Sequence, residues 1–164
     1  MDPVTIFRPL LILLALIAGP LLYSHPSLGA SPQSFVSLCL QKKSDPNLRK
    51  TIDALLLSAV RSYWWHDDCE QAAKVLQGKQ EINLAGRGIS DLRPLASFPN
   101  IKKLNLKGNR IVDLTPLSHL KRLEWIDLRD NRVRNTKTLK QLPRLKTILL
   151  GDRSSPSSFI STFR

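Results

Sequence analysis

Residues 82 to 153 align with themselves at a spacing of 22. The rows are INLAGRGISDLRPLASFPNIKK from Ile82, LNLKGNRIVDLTPLSHLKRLEW from Leu104, IDLRDNRVRNTKTLKQLPRLKT from Ile126, and the start of a fourth, ILLGDR, from Ile148. Apolar side chains recur in register down the rows: Ile82, Leu104, Ile126 and Ile148; Leu84, Leu106, Leu128 and Leu150; Leu95, Leu117 and Leu139; Ile101, Leu123 and Leu145. A fixed period of this length constrains the fold more than any local propensity. Each unit is too small to bury an apolar face alone, so successive units must stack and share one continuous core.

The consensus LxLxxNxIxDLxPLxxLxxL, with Asp-Leu-x-Pro-Leu at Asp91 to Leu95 and again at Asp113 to Leu117, resembles a leucine-rich repeat. More narrowly, it resembles the 22-residue repeats of the internalin-like bacterial proteins. The resemblance implies an α/β solenoid of three to four repeats, in which each row opens with a short strand and the strands stack in parallel. It also implies a ladder of buried asparagines, Asn109 and Asn131, bonding backbone groups that the bend leaves unpaired. Arg87 and Arg153 replace asparagine in the first and fourth rows, a departure at the ends of the array.

A stack of this kind exposes a hydrophobic cross-section at each end, and a terminal unit with a polar outer face must cover it. Residues 31–80 are placed to do so. Asp45-Pro46 offers a helix N-cap followed by proline in the first turn, and Leu48, Ile52, Leu55, Leu56 and Ala59 follow at helical spacing. A second helix is expected to start at Asp68, with Gln71 completing a capping box, and to stop at Gly78.

Ahead of this region lies a weakly charged start, the apolar run Leu10 to Ala18, a helix-breaking Gly19-Pro20 and a small-residue end at Gly29-Ala30. That order is the pattern of a signal peptide over residues 1–30. Leu10 to Tyr23 is only 14 residues and contains Pro20, against the ~20 apolar residues that a membrane span needs. Export is therefore expected, to a secreted, periplasmic or envelope location. The alternative is an uncleaved segment that tethers a scaffold protein to the membrane, and membrane contact is expected only in that case. Residues 154–164 form a serine-rich tail in which Phe159, Ile160 and Phe163 either cover the last repeat or leave the array open.

The stretch YWWHDDCE, residues 63–70, contains four side chains of metal-ligand type, His66, Asp67, Asp68 and Cys69. Four neighbours on one backbone cannot all turn to one ion, and no second ligand pair accompanies them, so no metal site is expected. Asp68 is better used as a helix cap, and Trp64 or Trp65 as packing over the first repeat. The two cysteines, Cys39 and Cys69, are expected to form a disulfide in an oxidising compartment. Closing that loop would stabilise the cap by roughly 3 to 4 kcal/mol.

No catalytic constellation can be assembled: the sequence lacks a nucleophile elbow, a zinc-binding HExxH and any glycine-rich phosphate or dinucleotide loop. A non-enzymatic recognition module without a cofactor is expected instead. Strand side chains alternate, so residues flanking the buried pair of each strand point to the concave side. There the candidate ligand-binding residues are Lys103, Asn105, Lys107, Trp125, Asp127 and Arg129. Trp125 beside Arg129 has the composition of a binding hot spot.

The repeats are also strongly basic. Between Ile82 and Arg153 there are 16 lysines and arginines against 6 aspartates and glutamates, which accounts for most of the chain's net +12. Such a field steers anionic partners, so a protein or an anionic polymer of the cell envelope is the expected ligand. Nucleic acid is disfavoured by export.

Overall fold

The computed structural model describes residues 33–59 and 68–151, together with the backbone of 159–162. Residues 1–30, expected as a signal peptide, together with Trp64, Trp65, His66, Asp67 and Arg153, lie outside the described residues, as do the side chains of Phe159, Ile160 and Phe163. Strands β1 (Glu81–Asn83), β2 (Lys103–Asn105), β3 (Trp125–Asp127) and β4 (Thr147–Leu150) follow one another along a parallel sheet. The register repeats the sequence period: Ile82 opposes Leu104, Leu104 opposes Ile126, and Ile126 opposes Ile148. Each of these four side chains is buried, while the residues before them lie on the opposite face of the sheet.

Between strands the chain turns twice. The proline of Asp-Leu-x-Pro-Leu sits in the first turn of a five-residue 3-10 helix, Arg93–Ser97 in row one and Thr115–His119 in row two. Asp91 and Asp113 each accept from the backbone N–H two residues on, at 2.9 and 2.8 Å, which sets the bend that leads into these helices. Row three has Thr138 where the others have proline, and its turn is a short α-helix instead, Lys137–Lys140.

Three helices precede the sheet: α1 (Phe35–Gln41), α2 (Pro46–Ala59) and α3 (Cys69–Gly78). The last two start where the capping residues require. Asp45 accepts from the N–H groups of Asn47 and Leu48 at 2.9 and 3.2 Å, and Asp68 accepts from Gln71 at 2.8 Å. The first helix carries weaker local signals. It is seven residues long, too short to be stable alone, and it persists by packing. Phe35 meets Phe98 of row one with ring centroids 5.1 Å apart, and a disulfide joins Cys39 of α1 to Cys69 of α3 across a Cα separation of 6.0 Å.

The helices and the rows share one core. Leu38, Leu48, Ile52, Leu55 and Leu76 from the helices continue into Ile82, Leu95, Phe98 and Ile101 of row one without a polar layer between them. Thr51 is the exception among the buried residues of α2, and its hydroxyl donates to the Asp91 carbonyl at 2.7 Å, so its polarity is satisfied across that junction. At the far end, β5 (Phe159–Thr162) pairs antiparallel with β4, Ile148 opposite Ser161, and occupies the edge that β4 would otherwise present to solvent.

Candidate functional site

The side of the sheet opposite the core is built by register. Glu81, Lys103, Trp125 and Thr147 are Cα partners across successive strands, so they form a line with a step of ~4.8 Å. Glu81 and Lys103 are exposed and Trp125 is half-buried. Lys103, Asn105 and Trp125 meet, with Glu81 and Asn83, around a shallow open depression of about 470 Å³. Lys107 and Arg129 lie one turn further on, in the segment after their strands, where the Gly86 N–H donates to the Lys107 carbonyl and the Gly108 N–H to that of Arg129.

Asn105 and Asp127 have a second use in these rows. Asn83 accepts from the N–H of Ala85 at 3.1 Å, Asn105 from Lys107 at 3.1 Å and Asp127 from Arg129 at 3.0 Å. The same side-chain oxygen thus fixes the exit of each strand. Asp127 does more. Its carboxylate, 2% exposed, also receives the guanidinium of Arg129, with Nε at 3.0 Å from Oδ1 and the terminal nitrogen at 2.6 Å from Oδ2. Burial alone would raise the pKa of this carboxyl, but the Arg129 side-chain and backbone bonds outweigh it and hold the group below the ordinary aspartate value. The same pair raises the pKa of Arg129.

The other two cations of this face are also matched by acids. Lys103 Nζ lies 2.7 Å from Glu81, whose hydrogen bond and charge raise the lysine pKa, and Lys107 Nζ lies 4.0 Å from Asp130. Of the cations that the sequence pattern groups with Trp125, Lys103 meets it at the depression while Lys107 and Arg129 lie beyond it, and the pairing with acids was not foreseen. The signal was available for Glu81 and Lys103, which occupy the same place in adjacent rows, 22 residues apart. Among the described residues no group of three or more His, Cys, Asp or Glu is arranged to hold a metal ion.

Asn109 lies beneath the turn that follows the strands and is 6% exposed. Its Oδ1 accepts from the N–H groups of Arg87 and Ile89, and its Nδ2 donates to the carbonyls of Leu84 and Leu106 at 2.9 and 2.7 Å. Asn131 repeats the arrangement one row on, accepting from Ile111 and donating to the carbonyls of Leu106 and Leu128. Each asparagine therefore bonds its own row and the row before it. Arg87 needs no such side chain, because the first row has no preceding row to serve.

No known family model matches the chain, and no curated protein matches it by sequence. Solved structures do match. An internalin, inlF, of Listeria monocytogenes aligns at 24% identity and a TM-score of 0.51, over 70% of this chain and 32% of that one. The fold is internalin-like. Internalin C2 of the same organism aligns at 23% identity and a TM-score of 0.49, over 58% of this chain and 41% of that one. The chain thus corresponds to well under half the length of either internalin, and the likeness is one of fold: leucine-rich repeat rows with parallel strands.

Proposed function

We propose that this chain is an exported, non-enzymatic recognition module, a short leucine-rich repeat solenoid with a disulfide-stapled helical cap, and that its strand-lined face binds a protein. The observation that carries the choice of ligand is the pairing of charges on that face. Lys103, Lys107 and Arg129 are matched by Glu81, Asp130 and Asp127. A polyanion would gain little there, since each of its charges would have to compete with a carboxylate already in place. A protein surface can instead bury Trp125 and exchange hydrogen bonds with the paired side chains around it, which is the usual anatomy of a protein interface. The disulfide between Cys39 and Cys69 supports export, because such bonds persist in oxidising compartments.

The test compares the wild-type chain with Trp125→Ala and Lys121→Glu, each immobilised and exposed to the same extracellular protein fraction. A protein ligand retained by the wild type and by Lys121→Glu, but weakened by at least ~2 kcal/mol in Trp125→Ala with folding intact, is the expected result. Retention that survives Trp125→Ala and is lost in Lys121→Glu would move the site off the strand-lined face.

A further inference from the structure

With the strand-lined face balanced, the excess positive charge of the repeats must sit elsewhere. Part of it lies on the turns that follow the strands. Arg110 and Arg132 hold equivalent places in rows two and three, and their backbones are locked one row apart: the Arg110 N–H donates to the Ile89 carbonyl at 2.8 Å and the Arg132 N–H to that of Ile111 at 3.0 Å. Both side chains are exposed, and among the described residues neither has a carboxylate within ion-pair distance. Two cations held on adjacent rows repel each other, and among the described residues neither is neutralised by an ion pair.

The two arginines share one groove with Asn109, Asn131 and the Asp130 carboxylate. This groove, of about 530 Å³, has a floor that includes Gly86, Gly88 and Gly108. These glycines adopt φ values of 68°, 67° and 69°. A Cβ placed on Gly86 or Gly88 would meet nothing within 4 Å, and one on Gly108 would meet only the Gly86 backbone at 3.8 Å. The conformation does not demand glycine at every row, since Asp130 takes the place of Gly108 in row three with φ 58°. Its carboxylate is turned to account by Lys107, 4.0 Å away.

We propose that this groove is a second binding site, separate from the strand-lined face, and that it takes a linear anion carrying phosphate groups in close succession. Guanidinium forks bind phosphate oxygens in pairs, and the two arginines here come from equivalent positions of adjacent rows and line the same groove. A phosphate chain has charges spaced closely enough for neighbouring groups to meet neighbouring rows. An extended acidic peptide presents its charges to one side only at every second residue, a step of ~6.6 Å, and fits the ~4.8 Å row spacing less well. The glycine floor lets such a chain approach the backbone.

Long-chain inorganic polyphosphate, titrated into the full chain in its oxidised form at several salt concentrations, tests the proposal. Arg110→Gln and Arg132→Gln are each expected to weaken binding about ten-fold. Each should also lower the slope of log K against log salt by about one. Gly108→Asn is the decisive variant. It leaves net charge unchanged, asparagine tolerates the left-handed conformation, and its side chain obstructs the floor, so binding should fall while the melting temperature holds. Lys121→Gln and Trp125→Ala should leave polyphosphate binding within two-fold of wild type, by roughly the screening expected of a distant charge. The proposal is overturned if polyphosphate does not bind, or if Lys121→Gln weakens it as much as Arg110→Gln while Gly108→Asn has no effect. It is overturned equally if poly-glutamate of matched length binds as well as polyphosphate, or if Trp125→Ala abolishes binding. Because Trp125→Ala is the variant that tests the protein-binding face, failure of either site is distinguishable from failure of the other.

Discussion

Replacing Asn109 by alanine should destabilise the array far more than an ordinary surface substitution. The side chain satisfies two N–H groups, of Arg87 and Ile89, and two carbonyls, of Leu84 and Leu106, with a third contact to the Lys107 carbonyl at 3.4 Å that is too long to count for much. Alanine leaves three of these four groups without a partner, since the Leu106 carbonyl keeps its bond from Asn131 Nδ2 at 2.9 Å. A buried group left unpaired costs about 1 to 3 kcal/mol. The Arg87 N–H is only partly buried and can turn to water, and the neighbouring groove offers water a route to some of the rest. Taking three groups at the lower bound gives a loss of about 3 kcal/mol, a large share of the 5 to 15 kcal/mol typical of a domain. Asn109→Asp should do no better, since it keeps the acceptor but replaces both donor bonds with a buried charge facing two carbonyls. Asn131→Ala should cost less, because Asn131 is half-buried and accepts one bond, from Ile111, in place of two. Urea denaturation followed by circular dichroism measures the three variants. An unchanged midpoint for Asn109→Ala, or a larger loss for Asn131→Ala, would refute the reasoning that each asparagine sustains two rows.

Reducing the Cys39–Cys69 bond, whose partners are 30 residues apart, should lower stability by roughly 3 kcal/mol, seen as a shift in denaturation midpoint between oxidised and thiol-treated protein. Equal midpoints would show that the bond contributes nothing to folding of the cap. Asp127 has a depressed pKa in the folded chain, so its ionised form stabilises the fold at pH values above the unfolded carboxyl value of about 3.9, and this contribution is lost as pH falls through the lower folded value. Asp127→Asn keeps the oxygen that caps Arg129 but cannot titrate; the wild type should therefore be the more stable above pH 4 and converge on the variant in more acidic solution. Parallel pH profiles would exclude Asp127 as a contributor to acid sensitivity.

Much of this architecture was legible because it is periodic. A 22-residue repeat places the four parallel strands, the buried leucines of the rows and both asparagines at once, and an error at one position would have broken the register at the others. The two later cap helices were legible for a different reason, since Asp45-Pro46 and Asp68 act on their immediate neighbours. What escaped was non-local. Helix α1 depends on Phe98, which is more than fifty residues away, although the Cys39–Cys69 bond that ties it to α3 was expected. The pairing of β5 with β4 breaks the parallel order and has no counterpart in any row. The ion pairs of the strand-lined face fall between these cases. The register brings Glu81 beside Lys103, but whether two exposed side chains actually meet is decided by rotamers that the pattern does not specify.

The division of charge between the two surfaces follows from the repeat itself. A position on a strand is flanked by its equivalents in the adjacent rows at ~4.8 Å, so a cation there is affected by its neighbours whatever else it meets. On the strand-lined face the neighbours of Lys103 are Glu81 and Trp125, not further cations. On the turn, the neighbours in register are Arg110 and Arg132, one row apart; among the described residues neither is in an ion pair, although the Asp130 carboxylate lines the same groove. Evenly dispersed charge on a soluble protein would mix signs at both places, because like charges stacked in register cost stability and opposite charges recover it. The protein pairs its charges on one face and, among the described residues, leaves the two arginines of the other without ion pairs. The first arrangement suits a partner that must displace water around an aromatic without stranding a buried charge. The second retains an unfavourable interaction that an anionic ligand would remove, so binding there should raise the stability of the array as well as occupy the groove.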